Sequence, residues 1–293
     1  MKGKEIMGKI KKIIAVLVVT TVVLGGLVGC SNSPSGKSDS ATIGSIAAIK
    51  ERGTIKIGVF SDKAPFGYVD SNGKNQGFDV VIAQRFAKDL LGDESKVEFV
   101  LVDAASRVAY LESGKVDIIM ANFTVTDERK QKVDFANPYM KVSLGIVSPD
   151  SAIITSVDQL KGKKAIVAKG TTAETYLTAN YPDIELVKYE QYSEIFQALK
   201  DGRGDAIVND NTEVIAWAKE NPGYTVGVAS LGGQDTIAPA VTKGNTELLS
   251  WINTELETLG KENFIHKAYE ATLTSVYGSD YEESLVIEGG KIN

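Results

Sequence analysis

The sequence predicts an α/β fold of βαβ units with parallel sheets, in a chain long enough for two modest domains or one large one. Three observations carry this: short apolar runs alternate with amphipathic segments, glycine-containing turns fall between them, and one helix-to-strand turn occurs once in each half. Strands are expected over 54–59, 97–102, 117–121, 144–148, 164–168, 185–189 and 206–209. Between them lie expected helices over 79–91, 104–112, 173–180, 192–201 and 212–219. Strands separated by single helices indicate βαβ units and parallel sheets. Two further helices, 246–259 and 261–274, close the chain, and Asn72-Gly73 between apolar segments reads as a tight hairpin turn.

The repeated turn has the spacing L-x-x-G-x-x-D, from Leu111 through Gly114 to Asp117 and from Leu199 through Gly202 to Asp205. Each glycine would end its helix in a left-handed conformation, after which the chain enters a strand. Five residues beyond each aspartate comes a polar residue at the expected carboxyl end of that strand, Asn122 in one case and Asp210 in the other. Open α/β sheets bind ligands at those ends, so two facing lobes would turn Asn122 and Asp210 into one cleft.

The first thirty residues read as an address. Lys2, Lys4, Lys9, Lys11 and Lys12 precede a charge-free apolar stretch from Ile13 to Leu27. That stretch is short of the ~20 residues a membrane-spanning helix needs, and it has the order of an export signal. It ends at Leu27-Val28-Gly29-Cys30, which resembles the lipobox of bacterial lipoproteins. The resemblance implies cleavage before Cys30 and lipid on its sulfur, with a polar tether over 31–40. The expected location is extracytoplasmic, anchored to the outer face of the cell membrane, or periplasmic where an outer membrane exists.

Cys30 is the only cysteine, so no internal disulfide, thiol nucleophile or cysteine metal site is available to the folded part. Loss of residues 1–29 leaves 264 residues and shifts the formal charge from −6 to −10, because five lysines leave with one glutamate. Such an acidic chain argues against nucleic acid as a partner. Neither a metal nor a cofactor is expected, and the protein is expected to act as a monomer. His266, the only histidine, falls on a terminal helix with no candidate partner and reads as structural.

Candidate ligand groups converge on the same strand ends. Asn122, Thr124 and Arg129 leave the strand expected over 117–121, and a guanidinium there can hold a carboxylate through two parallel bonds. In the other half, Gly170-Thr171-Thr172 opens a helix, where backbone amides and a hydroxyl suit an anion. Asp210 supplies a carboxylate suited to an ammonium. A cation clamp with an anionic acceptor matches an α-amino acid zwitterion.

Motifs along nearly the whole mature chain agree. Gly58 to Phe66, Gln76 to Asp79, Leu111 to Asp117, Thr124 to Arg129, Asp134 to Tyr139, Leu160 to Lys164, Gly170 to Thr172 and Asp210 occur in this order. With them the chain resembles the polar amino-acid-binding proteins of ABC importers, whose type II periplasmic-binding-protein fold also underlies the ligand domains of ionotropic glutamate receptors. The resemblance implies one lobe from 42–140 plus 239–293 and a second from 141–238, crossing near 140–142 and 237–240. It further implies that Arg129, Thr172 and Thr124 hold the α-carboxylate, that Asp210 receives the α-ammonium, and that a membrane permease is the partner.

Within the family the likeness is to bacterial cysteine-binding proteins, through Gly58 to Phe60, Pro65 to Val69, Ala121 to Thr124, Pro138 to Val142, Ile237 to Ala240 and Glu288 to Ile292. L-Cysteine is the expected ligand, its side chain enclosed by aromatic groups such as Phe60 and Phe66, with Phe66, Tyr68 or Phe123 as the wall and Thr171 beside Thr172 at the helix start. Glutamate or aspartate is the alternative, and would need Arg107 for its second carboxylate. Lys63 departs from relatives that place a stacking aromatic there. Dehydratases of prephenate-like substrates on the same fold are the competing class. The sequence offers no histidine in the matching region, no thiol and no metal-ligand cluster for such chemistry, so no enzyme is expected.

Overall fold

The computed structural model describes residues 44–292. The expected export signal, Cys30 and the 31–40 tether lie outside them. The first helix, α1 (Ile46–Arg52), starts where the Ser45 hydroxyl accepts the Ala48 amide at 3.3 Å and ends at left-handed Gly53. Strand β1 (Ile55–Val59) follows, then a small antiparallel sheet of β2 (Asp62–Lys63), β3 (Gly67–Val69) and β4 (Asn75–Gln76). Its β3 to β4 connection is the expected hairpin, with Gly73 at φ 76°. The first lobe continues through α2 (Phe78–Leu91), β5 (Val97–Leu101), α3 (Arg107–Glu112), β6 (Ile118–Ile119), α4 (Asp127–Lys130) and β7 (Val133–Phe135).

The chain then runs along β8 (Met140–Pro149) into the second lobe. There β9 (Lys164–Ala168), α5 (Thr172–Asn180), β10 (Glu185–Tyr189), α6 (Tyr192–Lys200), β11 (Ala206–Asp210) and α7 (Asn211–Glu220) alternate as expected. Strand β12 (Tyr224–Ile237) returns, and β13 (Ala240–Thr242), α8 (Thr246–Lys261), α9 (Phe264–Thr272), α10 (Thr274–Tyr277) and α11 (Glu282–Leu285) complete the first lobe. Met140, Lys141 and Val142 pair with Ile237, Thr236 and Asp235, so both passages between the lobes lie side by side.

The two main sheets have matching orders, β5-β1-β6-β13-β7 and β10-β9-β11-β8-β12. In each, three neighbouring strands are parallel and the fourth and fifth enter antiparallel to their neighbours. The repeated sequence turn has one structural meaning in both. Gly114 and Gly202 adopt φ of 67° and 69°. Asp117 then accepts the Lys56 amide at 2.8 Å, and Asp205 accepts the Lys164 amide at 2.7 Å, each carboxylate tying its strand to the start of the neighbouring one. Asp117 also pairs with Arg52.

Several expected boundaries move for physical reasons. The helix expected from 104 begins at Arg107, because Asp103 turns the chain by accepting the Ser106 amide at 2.8 Å. The helix expected over 261–274 starts only at Phe264, since Asn263 takes a left-handed φ of 55°, and it breaks again at Leu273. Strand β12 lies outside the expected set. It is an edge strand with register shifts against β8, half-exposed along much of its length, and so carries no alternating apolar pattern. The expectation that His266 lacks a partner is wrong: its Nδ1 lies 2.7 Å from Glu288, whose carboxylate also receives the His266 amide at 3.0 Å. Chain reversal after α9 brings the two together, a contact that sequence separation hides.

The paired turns give a stability test. Asp117→Ala leaves the part-buried Lys56 amide and Arg52 without their carboxylate acceptor and is expected to lower the unfolding free energy by about 1–3 kcal/mol. Asp205→Ala, at an exposed strand edge, should cost about 0.5–1.5 kcal/mol. Urea denaturation of the two variants checks the order.

Candidate functional site

The carboxyl ends of β6 and β11 meet where the two lobes touch. Asn122, just past β6, has a left-handed φ of 43°, a conformation that asparagine tolerates better than most residues. Its amide is fixed by Asp79 of α2 at 2.8 Å, and Asp79 also accepts the Tyr139 hydroxyl at 2.7 Å. Burial pushes the Asp79 carboxyl up to about 7 against the effect of those two hydrogen bonds. Asp79 thus fixes the turn that presents Asn122, a role its place in the Gln76 to Asp79 motif did not reveal.

Lys63 sits at the centre. It is fully buried, and its Nζ donates to Asn122 Oδ1 at 2.9 Å, to Asp210 Oδ2 at 2.7 Å and to the Tyr192 hydroxyl at 3.3 Å. Asn122 and Asp210 do converge, as the repeated turn implied, but a lysine side chain joins them. Burial alone would lower the Lys63 pKa; Asp210, with Tyr192 and Glu213, outweighs it and pushes the ammonium up. The Tyr192 ring lies 4.6 Å and the Phe60 ring 5.5 Å from Nζ, and the two rings meet edge to face at 5.1 Å.

The two arginines flank this pair. Arg107, 2 % exposed, donates to the carbonyls of Ala104 at 2.9 Å, Ala121 at 2.9 Å, Asn122 at 3.3 Å and Gly170 at 3.2 Å. Arg129, half-buried, donates to the carbonyls of Thr124 at 2.7 Å and Gly170 at 2.9 Å. Both guanidiniums lie over Phe123, at 4.4 and 4.7 Å from its centroid. Among the described residues neither one pairs with a carboxylate. Burial lowers both, and beside Arg107 the Arg129 guanidinium falls to about 9, still charged at neutral pH. A solvated surface role for Arg107 is thereby ruled out.

The second lobe contributes Gly170, Asp210 and the start of α5. A Cβ at Gly170 would lie 2.6 Å from the Ala105 Cα, and its φ is 74°, so glycine is required for this close approach of the lobes. Thr171 is the helix cap: its hydroxyl accepts the Glu174 amide and donates to the Ala168 carbonyl. Thr172, the first helical residue, borders a cavity of about 250 Å³ with Thr126 and Asp235. Arg129, Phe123 and Gly170 border another of about 190 Å³.

The other expected wall residues separate. Phe66 is fully buried in the first-lobe core with Phe78 and Tyr139, whereas Phe60 and Phe123 belong to a cluster shared by both lobes. Tyr68 borders a third cavity, of about 290 Å³, with Asp62, Glu213 and Trp217. Glu213, 2 % exposed, has a buried Oε2 without a hydrogen-bond partner among the described residues, and burial pushes its carboxyl up to about 8 while Lys63 opposes the shift. Three residues after Asp210 on α7, it had no signal in sequence beyond that spacing.

Residues 55–274 match the bacterial extracellular solute-binding proteins, family 3. The chain belongs to that family. Its architecture is that of type II periplasmic binding proteins, and membership puts it among binding proteins rather than enzymes. A solved solute receptor for L-cysteine from Neisseria gonorrhoeae is 56% identical, with a TM-score of 0.82, and the match covers 83% of this chain and all of that one. A glutamine-binding protein of a Bacillus subtilis ABC transporter is 34% identical, over 89% of this chain and 96% of its own length. An L-arginine-binding protein of Pseudomonas aeruginosa is 31% identical, over 77% and 90%.

Glu213 makes stability depend on pH. Its folded-state pKa lies above the usual value of 4.5, at about 8, so the native state keeps a proton that the unfolded chain releases, and stability falls as pH rises through that window. Glu213→Gln removes this effect. Its stability relative to the parent is expected to improve steadily from about pH 4.5 to about pH 8, as read from urea midpoints.

Proposed function

We propose that the chain is the extracytoplasmic receptor of an amino-acid ABC importer and that L-cysteine is its ligand. The observation that carries the amino-acid reading is the charge arrangement: Arg129 turned to backbone carbonyls with no carboxylate partner among the described residues, close to Asp210, which Lys63 engages through Oδ2. An α-amino acid supplies the complement. Its carboxylate takes the Arg129 guanidinium with Thr172 and Thr124 beside it, and its ammonium takes Asp210 Oδ1. The lobes, 42–140 plus 239–293 and 141–238, close on it as rigid bodies about the paired passages at 140–142 and 237–240. A permease in the membrane receives the ligand, and the receptor acts as a monomer.

The cysteine reading draws support from the Neisseria receptor and from Arg107. Four donor contacts of Arg107 already go to backbone carbonyls, which leaves little of it for the second carboxylate of glutamate or aspartate. The Bacillus relative favours glutamine as a second reading. Competition of glutamine, glutamate and aspartate against labelled cysteine, on reduced full-length protein in detergent, separates them. Tight glutamine or glutamate binding with none for cysteine overturns the first choice.

In the same assay Arg129→Ala is expected to weaken binding by about 2–5 kcal/mol, since the enclosed carboxylate loses its charged partner. Asp210→Asn should weaken it comparably. It should also lower stability, because Lys63 loses its buried counter-ion. Unchanged affinity in both variants removes the zwitterion clamp.

Lipid at Cys30 is the proposed anchor, supported by the apolar stretch that ends at Leu27-Val28-Gly29-Cys30. No helix among the described residues is long and apolar enough to cross a membrane. Cys30→Ser in the full-length gene is expected to release the protein from the membrane fraction, measured by immunoblot after a salt wash.

A further inference from the structure

We infer that Lys63 determines specificity by charge: its ammonium, buried on Asp210 between the lobes, closes the cleft to amino acids with cationic side chains. The inference rests on the amino-acid reading above and deepens it. Three cations, Lys63, Arg107 and Arg129, crowd the junction of the lobes. Asp210 is already engaged by the first of them at 2.7 Å. The Phe60 ring serves two of them at once, with Lys63 Nζ and the Arg107 guanidinium each 5.5 Å from its centroid. The Tyr192 ring is likewise occupied by Lys63.

A cationic ligand side chain would therefore meet like charges and aromatic faces that already carry a cation. Like charges drawn together away from water repel strongly because little solvent screens them. Rejection by an unmatched charge is a recognised route to specificity. Lys63 cannot withdraw easily: it is fully buried and held by Asn122, Tyr192 and Asp210. A neutral side chain such as a thiol or carboxamide meets no such repulsion. The arginine-binding relative implies that the scaffold itself tolerates a cationic ligand, so the restriction lies in the residues of this cleft.

The test uses full-length protein in detergent and equilibrium dialysis with L-cysteine, L-glutamine, L-arginine and L-2,3-diaminopropionate, an ammonium analogue of cysteine's size. For the wild-type chain, diaminopropionate and arginine are expected to bind at least a hundredfold more weakly than the preferred neutral amino acid. Lys63→Gln keeps a polar group near Asp210 without the charge and should narrow both gaps at least tenfold. Lys63→Arg should leave them unchanged.

Wild-type affinity for diaminopropionate or arginine within tenfold of the neutral ligand overturns the inference even if Lys63→Gln fails to fold. Folded Lys63→Gln with unaltered ratios overturns it too. Preference for glutamine over cysteine sinks the cysteine reading alone, and the arginine ratio still judges Lys63.

Discussion

The ion pair between Lys63 and Asp210 organises this structure. It joins β2 of the first lobe to β11 of the second, with both partners almost entirely out of water. A charge in that position is tolerated only when its partner and its hydrogen bonds are all in place. Lys63 meets the condition through Asn122 and Tyr192, and Asn122 in turn depends on Asp79. The chain of dependence therefore runs from helix α2, through a left-handed asparagine, to a cation that spans both lobes.

Around that pair the local charge is positive although the protein as a whole is acidic. Among the described residues, Arg107 and Arg129 contact backbone carbonyls and the Phe123 ring, with Phe60 also beside Arg107, and pair with no carboxylate. Burial raises the nearby carboxyls of Asp79 and Glu213, so these supply less negative charge near neutral pH than their formal count suggests. The net charge of −6 is a sum over the whole sequence and says little about the cleft. An anionic group of a ligand is attracted by a few fixed cations, which need no complement from the rest of the molecule.

Closure of the lobes relies on small residues as much as on charge. Gly170 brings its carbonyl to both arginines, and nothing larger fits against Ala104 and Ala105. The same carbonyl thereby ties α3 and α4 of the first lobe to the turn after β9 in the second. Phe60 and Tyr192 pack edge to face across the same boundary and exclude water from the ion pair.

Sequence by itself determined the alternation of strands and helices, the repeated turn that builds both sheets, and the polar residues at their carboxyl ends. These are local signals: apolar periodicity, glycine where a helix must end left-handed, and a fixed count of residues along a strand. It also marked Lys63 as a departure from relatives, without its consequence. Tertiary structure decided which of those residues meet. Phe66 turned into the first-lobe core while Phe60 remained at the junction. Only folding could bring Lys63 to Asp210, 147 residues away in sequence, and set the buried Glu213 carboxyl beside them. Pairings across that distance follow from how two sheets are set against each other, which no local pattern encodes.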